Sequence, residues 1–586
     1  MKRRVRPWVG VACLASALAG CDYSAPEPRT NLPSGWAYQP DPIQAPDSEG
    51  RKGAILANVM SLIRTAALRP GGANFGLAAE NLNQYFADTD STLFALSPEA
   101  RSFLLGQLPE AEVKGLEARE FTLRDARHLE DCMLYRTIAT RVAGTGDDLS
   151  RARRVFDWMV RNIQLVPAGS LGAPGLGQAQ ARPYDVLLRG MATEEGGLWS
   201  ERGWLFLSLC RQLGIDVGLV TYTPAGRKDP IAWLCAALID KKLYLFDPRI
   251  GLPVPGPDGQ GVATLDQALA DPVVLDRLDL PGQSPYLTTA SALAASPSKI
   301  GILIDSGPGY LAPRMHLLEK DLAGKDSTIL YRDPVDQRDK FVAALGPHSG
   351  GVTLWALPWQ VDRLLFSNPQ FVQATQQSLM FFDPKLPLVY ARIKQLRGEY
   401  PEAIQEYMGF SFVEQPTLRD KRTPMSPLAQ QAIDVYATYD LALCHLDQDN
   451  PKQAEFFFKK ILRLLPEYGP GQPFLTMFRW GAQANLARLS EAQGNPSLAI
   501  AFYAQRDLTT QRHGNLVRAR ELAWRDPMAP PPASLPPPPT LPAPAAVTPT
   551  PAPIAPEGLA AKGESPEGEP EVRDPTEDFR RPNEKW

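Results

Sequence analysis

Apolar and polar positions divide the chain into an apolar leader, a polar connector, a helical stretch, a strand-rich centre, a second helical stretch and a proline-rich end. Ala54, Ile55, Val59, Leu62 and Ile63 recur at helical spacing. Leu96, Phe103, Leu104 and Leu108 continue the pattern, so residues 51–145 read as helices. Asp147 or Asp148 then caps a helix whose apolar face is Ala152, Val155, Phe156, Met159 and Val160. Tyr184 to Leu188 predicts a short helix. The stretch from Gly196 to Pro257 follows, with a helix pattern, three strand-like runs and an Asp-Pro turn. Thr264 caps another short helix, and Asp271-Pro272 starts one more. Lys299–Asp305, Thr328–Tyr331 and Val352–Leu357 are strands by their branched and aromatic content. They make 281–380 an α/β extension.

Residues 381–525 carry an internal repeat. The pairs Ala391/Ala403, Ala442/Ala454 and Ala487/Ala499 are each twelve residues apart, and aromatics follow at Tyr407, Phe458 and Tyr503. A small residue in each of two antiparallel helices lets them approach closely, and the aromatic fills the next groove. This spacing resembles the tetratricopeptide repeat, with loops inserted between units. The resemblance implies a helical solenoid with a concave surface for a protein partner. His445 falls among apolar positions of the second unit and reads as packing.

Composition changes the picture at both ends. Residues 1–20 have a basic start, an apolar run from Trp8 to Leu18 and then small residues, the pattern of a secretory signal too short to span a membrane. Its end, Leu18-Ala19-Gly20-Cys21, resembles a bacterial lipobox. That resemblance implies lipidation of Cys21, a membrane anchor through the lipid, and a place on the exported side of the cell membrane or outer membrane. No later run is long and apolar enough to cross a bilayer. Residues 21–50 read as a disordered tether. Residues 526–586, with runs such as Pro536 to Pro539, read as a disordered tail.

The net charge is −4, and about −8 without the basic leader residues Lys2, Arg3, Arg4 and Arg6. No basic stripe marks a nucleic-acid partner. Outside the leader the cysteines are Cys132, Cys210, Cys235 and Cys444, with no ligand-like spacing. His128 and Cys132 share a helix face near Asp125 and Glu130, but one His/Cys pair falls short of a zinc site. No metal or cofactor is expected.

Several residues of the centre carry a family resemblance. Trp158 and Ile163 stand in an opening helix, Arg211-Gln212-Leu213-Gly214-Ile215 ends the central one, Trp233 sits on the next strand, and Phe246-Asp247-Pro248 forms a turn. Together they resemble the transglutaminase-like fold, a relative of papain-type cysteine proteases, over Asp147 to Gly256. The resemblance implies an α+β fold with a helix-plus-antiparallel-sheet core over 146–280. It also implies a Cys, His and Asp triad. The Cys position is Trp199 and the His position is Ile231, so Asp247 alone remains and the triad is degenerate. Trp and Ile neither attack a carbonyl nor move a proton.

Several residues could stand in for the missing Cys and His. Ser200 neighbours the Cys position but needs a base. Cys210 and Cys235 lie among apolar residues, where thiols are inert. His316 or His348 would have to fold back. Glu194, Glu195, Glu201 and Arg202 cluster at the start of the core helix, where carboxylates are favourable for stability alone. Lys228 and Asp229 precede Ile231. Glu201 and Asp247 across the cleft form a conceivable acid/base pair. The Asp305 to Gly309 turn is ordinary turn chemistry.

These features lead to a non-catalytic envelope lipoprotein that binds a protein partner through its degenerate domain and repeats. The alternative is a thiol hydrolase or acyltransferase acting on protein or cell-wall peptide with a non-standard nucleophile. A third reading is an envelope spacer.

Overall fold

The computed structural model describes residues 48–66, 73–166, 181–193, 200–280, 285–296, 299–378, 387–411, 427–465, 473–505 and 507–525. Cys21, the leader, Glu194, Glu195, Trp199 and the proline-rich end lie outside the described residues. The first helix, Ser48–Ala66, begins inside the stretch expected as tether. Among the described residues no helix is long and apolar enough to cross a membrane.

The fold is mixed α+β, built around one six-stranded sheet. Two short strands, β1 (Gln164–Val166) and β2 (Met191–Thr193), form a separate parallel pair. The main sheet contains β3 (Asp216–Tyr222), β4 (Ile231–Ile239), β5 (Lys242–Asp247), β6 (Leu252–Pro253), β7 (Ile300–Asp305) and β8 (Ser349–Trp355). Its order is β6-β5-β4-β3-β7-β8. The pairs from β6 to β7 are antiparallel, while β8 runs parallel to β7. The sheet is therefore mixed, not antiparallel. The strands expected in a separate extension join the central sheet at its β3 edge.

Local chemistry explains the elements that were expected. Asp147 caps helix Asp148–Asn162 by accepting from the Ser150 amide. Thr264 and Gln267 make a reciprocal capping box at Leu265–Ala270. Asp271 caps Pro272–Asp276. The two-residue β4–β5 hairpin turns at Asp240 and Lys241, whose φ values are 49° and 63°. Positive φ at both central positions gives a turn whose twist matches the strands.

Two expectations fail. Thr328–Tyr331 is not a strand. The Glu319 carboxylate takes the Leu330 and Tyr331 amides at 2.7 and 2.9 Å, and Gln212 takes the Ile329 amide at 3.1 Å. Side chains thus replace the ladder a strand would need. The expected strand Val352–Leu357 ends at Trp355, and Ala356–Ser367 is helical.

Both faces of the sheet are covered. Cys235, Ala237 and Phe246 pack against helices Asp148–Asn162 and Ser200–Arg211. Phe156, Phe206 and Phe246 meet at centroid distances of 5.1 to 5.3 Å. Burying each ring contributes about 2–3 kcal/mol. Leu234 and Ala236 face the opposite way, into a core that includes Phe341, Leu516 and Val517. The N-terminal helices share a core with Tyr310, Met315 and Leu318, so 51–145 is not self-contained.

After the sheet come Pro387–Arg397, Tyr400–Ser411, Pro427–Asp447, Pro451–Leu464, Pro473–Ala492, Pro496–Tyr503 and Gln511–Arg525. Each packs on the next in sequence. The three alanine pairs are fully buried. Gly398, Asp449 and Gly494 take φ of 82°, 55° and 72°, each two residues before the next helix. Asn450 and Asn495 then cap, accepting from Gln453 and Leu498.

The last helix returns to the sheet through a close backbone contact. A Cβ at Gly514 would collide with the Ile250 carbonyl oxygen. Gly514→Ala is expected to lower unfolding stability by about 1–3 kcal/mol, since overpacking against backbone has no flexible end to yield. Urea unfolding measures it, and an unchanged midpoint would refute the contact.

Candidate functional site

Asp247 ends β5 and is fully buried. A carboxylate in a dry core must be saturated by donors. Tyr286 Oη donates to Asp247 Oδ2 at 2.7 Å, and Arg249 Nη2 donates to the same oxygen at 3.0 Å. The Arg249 amide donates to Oδ1 at 3.0 Å, and the Ile250 amide at 3.4 Å. Trp233 Nε1 donates to Tyr286 Oη at 3.1 Å. Trp233, expected as a fold marker, and Asp247 are therefore joined through one tyrosine. Burial first, then the Asp247 charge, pushes the Tyr286 hydroxyl well above its ordinary range. Burial pulls the Arg249 guanidinium down, but Asp247 and Tyr286 together outweigh it and hold the group above its usual value.

Ile231 and Trp199, expected at the other two triad positions, add nothing to this network among the described residues. Ile231 opens β4 opposite Tyr222 and is half-buried. Trp199 and the Ser200 side chain lie outside the described residues. One histidine does approach. His513, from Gln511–Arg525, stands 6.2 Å from Tyr286 between ring centroids, and its Nε2 binds the Leu278 carbonyl at 2.6 Å. Burial lowers its affinity for a proton. Sequence reading missed Tyr286 and His513 because both come from elements remote from the core motif.

Glu201 and Arg202 are not a solvated helix-start cluster. Both are fully buried. Glu201 accepts from the Ala181 amide at 2.6 Å, Arg189 Nη2 at 2.5 Å and the Thr193 amide at 2.9 Å. Arg202 donates to the Ile163 carbonyl at 3.0 Å, the Pro248 carbonyl at 3.1 Å and Gln511 Oε1 at 2.8 Å. Glu201 and Asp247 are each committed to their own donors, so the acid/base pair is not assembled. Lys228 and Asp229 are exposed in the β3–β4 turn.

The thiols are equally enclosed. Cys132, Cys210, Cys235 and Cys444 are free and buried. Burial pushes all four above the ordinary thiol range, and at Cys235 the Asp247 charge and Cys210 add to the shift. A thiol so held supplies little thiolate.

His128 lies 3.7 Å from Cys132 Sγ through Nε2, but that nitrogen also meets the Leu330 carbonyl at 3.0 Å. Burial pulls the His128 ring down to about 4. Cys132 is directed to Tyr310 Oη at 3.3 Å, Asp125 to Arg314 Nε at 2.8 Å, and Glu130 to Tyr184 Oη at 3.1 Å. The four do not converge, and no metal-ligand set of three or more His, Cys, Asp or Glu exists among the described residues.

The remaining candidates are structural in their surroundings. The His316 ring sits tilted against Tyr331 at 4.8 Å between centroids, and His348 closes the turn Gly346–His348. His445 lies flat on Phe457, 5.5 Å between centroids. In the Asp305 turn, Asp305 accepts from the Gly307 amide at 2.8 Å and from Arg211 Nη1 at 2.9 Å. Ser306 Oγ donates to the Trp355 carbonyl at 2.5 Å. The turn spends its polar groups internally.

Two outcomes follow. Tyr286→Phe leaves Trp233 Nε1 without its acceptor and Asp247 Oδ2 with Arg249 alone, at a cost of about 1–3 kcal/mol in urea unfolding. An unchanged midpoint would contradict the network. In protein carrying Cys13→Ser and Cys21→Ser, a chromogenic thiol reagent at neutral pH should leave the native chain unmodified while the urea-unfolded chain reacts at four sites. One fast native thiol would overturn the assignment of these cysteines to the core.

Comparison with protein families, with characterised proteins and with solved structures gives no match.

Proposed function

We propose that this protein is a non-catalytic, lipid-anchored scaffold of the cell envelope. Its centre is a degenerate transglutaminase-like domain, and its C-terminal helices are a tetratricopeptide-like solenoid. The observation that carries the reading is the hydrogen-bond shell that encloses the Asp247 carboxylate. Asp247, the position that would orient a catalytic histidine, is held by Tyr286, Arg249 and backbone amides. A histidine-orienting carboxylate needs a partner that exchanges protons near neutrality. A buried tyrosine pushed well above its ordinary range does not. The buried thiols weigh against the alternative of a thiol hydrolase or acyltransferase.

The solenoid reading is supported by the recurrence of buried alanine pairs, left-handed turn residues and Asn caps at matched places. Such stacks present apolar anchors to partners. Met408 and Phe456 are exposed apolar side chains of these helices, 42% and 52% accessible. The lipid on Cys21 would hold the scaffold at the membrane, with the proline-rich end as a spacer.

The test uses the full chain extracted from membranes. Cys21→Ala should move the protein from the membrane to the soluble fraction. Phe456→Asp should reduce recovery of a stoichiometric co-purifying protein at least ~10-fold, a scale typical of a lost apolar anchor, with the unfolding midpoint unchanged. A native chain that recovers no such partner, or that cleaves or transfers acyl groups on envelope peptides, would sink the reading.

A further inference from the structure

A cavity of about 450 Å³ opens between helix Asp148–Asn162, the segment 251–261 around β6, and helices Pro473–Ala492 and Gln511–Arg525. Its size lies within the range of small-molecule sites. Arg153, Arg161, Arg488, Arg518 and Arg525 line it.

The acidic groups of the same cavity do not neutralise these five cations. Arg518 pairs with Glu491 and lies 3.3 Å from Glu521. Arg525 stands 3.9 Å from Glu521 and donates to the Gly259 carbonyl at 2.8 Å. Glu491 also accepts from Tyr503 Oη at 3.3 Å. Both glutamates are thus spent. Arg153, Arg161 and Arg488 make no ion pair with a carboxylate among the described residues. Arg161 donates from Nε to the Asp157 backbone carbonyl at 3.2 Å, and Arg488 donates from Nη1 to Asn485 Oδ1 at 3.2 Å. Asp157 is the one carboxylate of the lining left to balance three guanidiniums, and Asp447, which also lies near Arg161, already pairs with Arg141 at 3.6 Å.

Guanidinium groups bind phosphate and carboxylate oxygens through paired N–H donors. Here they project from two helices packed on each other, the first also against β4 and β6 and the second against β1, so the concavity keeps its shape and its positive potential without a ligand. Arg153 and Arg161 stand two turns apart on one helix, and Arg488 faces them from another. That arrangement suits an anion with two or more charged groups better than a single carboxylate.

We propose that this cavity is a binding site for a small polyanion bearing phosphate or carboxylate groups. The site stands apart from the Asp247 network and from the exposed apolar side chains of the repeats. Its failure would leave the scaffold reading intact.

Titration calorimetry of the full chain with pyrophosphate and, separately, with citrate tests it. At least one should bind saturably at a single site, and affinity should fall as salt is raised. Binding of pyrophosphate alone assigns phosphate as the ligand chemistry, and binding of citrate alone assigns carboxylate. Arg488→Gln and Arg153→Gln should each weaken binding at least ~10-fold, the scale of a lost charged hydrogen bond. Arg227→Gln, in an exposed turn away from the cavity, should leave it unchanged. Arg153 is exposed, so its variant keeps the test valid if the Arg488 variant is unstable. Absence of saturable binding by either anion, or equal weakening by Arg227→Gln, would overturn the proposal.

Discussion

The buried guanidinium of Arg202 ties together segments that the chain keeps far apart. Its N–H groups reach the Ile163 carbonyl before β1, the Pro248 carbonyl after β5 and the Gln511 side chain at the start of the last described helix. Lysine, a compact point charge, could not span three acceptors in this planar geometry. Taking such a charge out of water is costly, and the cost is offset only when its donors are satisfied. The core helix, the Asp247 turn and the C-terminal helix are therefore mutually placed by one side chain. The Gly514 contact on Ile250 and the Gln511 bond to the Ile250 carbonyl at 3.0 Å reinforce the same junction.

That junction shapes the surroundings of Asp247. With Pro248 and Ile250 fixed, Asp247 has its backbone donors in place and Arg249 folds back onto it. Tyr286 completes the carboxylate and passes the network to Trp233. Both Asp247 oxygens, the Tyr286 hydroxyl and the Trp233 indole have partners, and within this network the Arg249 Nε is the group without one. The cost of an unsatisfied buried oxygen favours this closure over an open, reactive arrangement. The same logic applies at Glu201, whose oxygens are filled by Arg189 and two amides.

Local chemistry was legible in the sequence, and partnership across the fold was not. Asp147, Thr264 and Asp271 act as caps because capping involves residues two or three apart. The three core strands and the buried alanine pairs follow from periodicity. Glu201 reads as a helix-start charge because nothing local reveals that Arg189 and the Thr193 amide enclose it. Thr328–Tyr331 has strand composition, yet its amides meet Glu319 and Gln212. Strands β7 and β8 were found, but the sheet they join depends on contacts that periodicity does not encode. Tyr286 and His513 carry no motif at all. Their relation to Asp247 exists only after folding.

Arginine usage separates structure from binding in this chain. Arg189, Arg211 and Arg314 are buried, and each has a carboxylate within 2.9 Å, at Glu201, Asp305 and Asp125. Their charges are cancelled where solvent cannot reach. Arg153, Arg161 and Arg488 border open space and keep most of their donors uncommitted. A surface arginine is ordinary when it stands alone, because water satisfies it. Three around one concavity repel one another beyond what the single carboxylate of Asp157 offsets, and the remaining repulsion is relieved by an anion. The fold that sealed the central carboxylates thus leaves its unbalanced charge at the cavity beside the last helix. Chemistry that recognises a ligand is concentrated there, outside the cleft that the sequence brings first to attention.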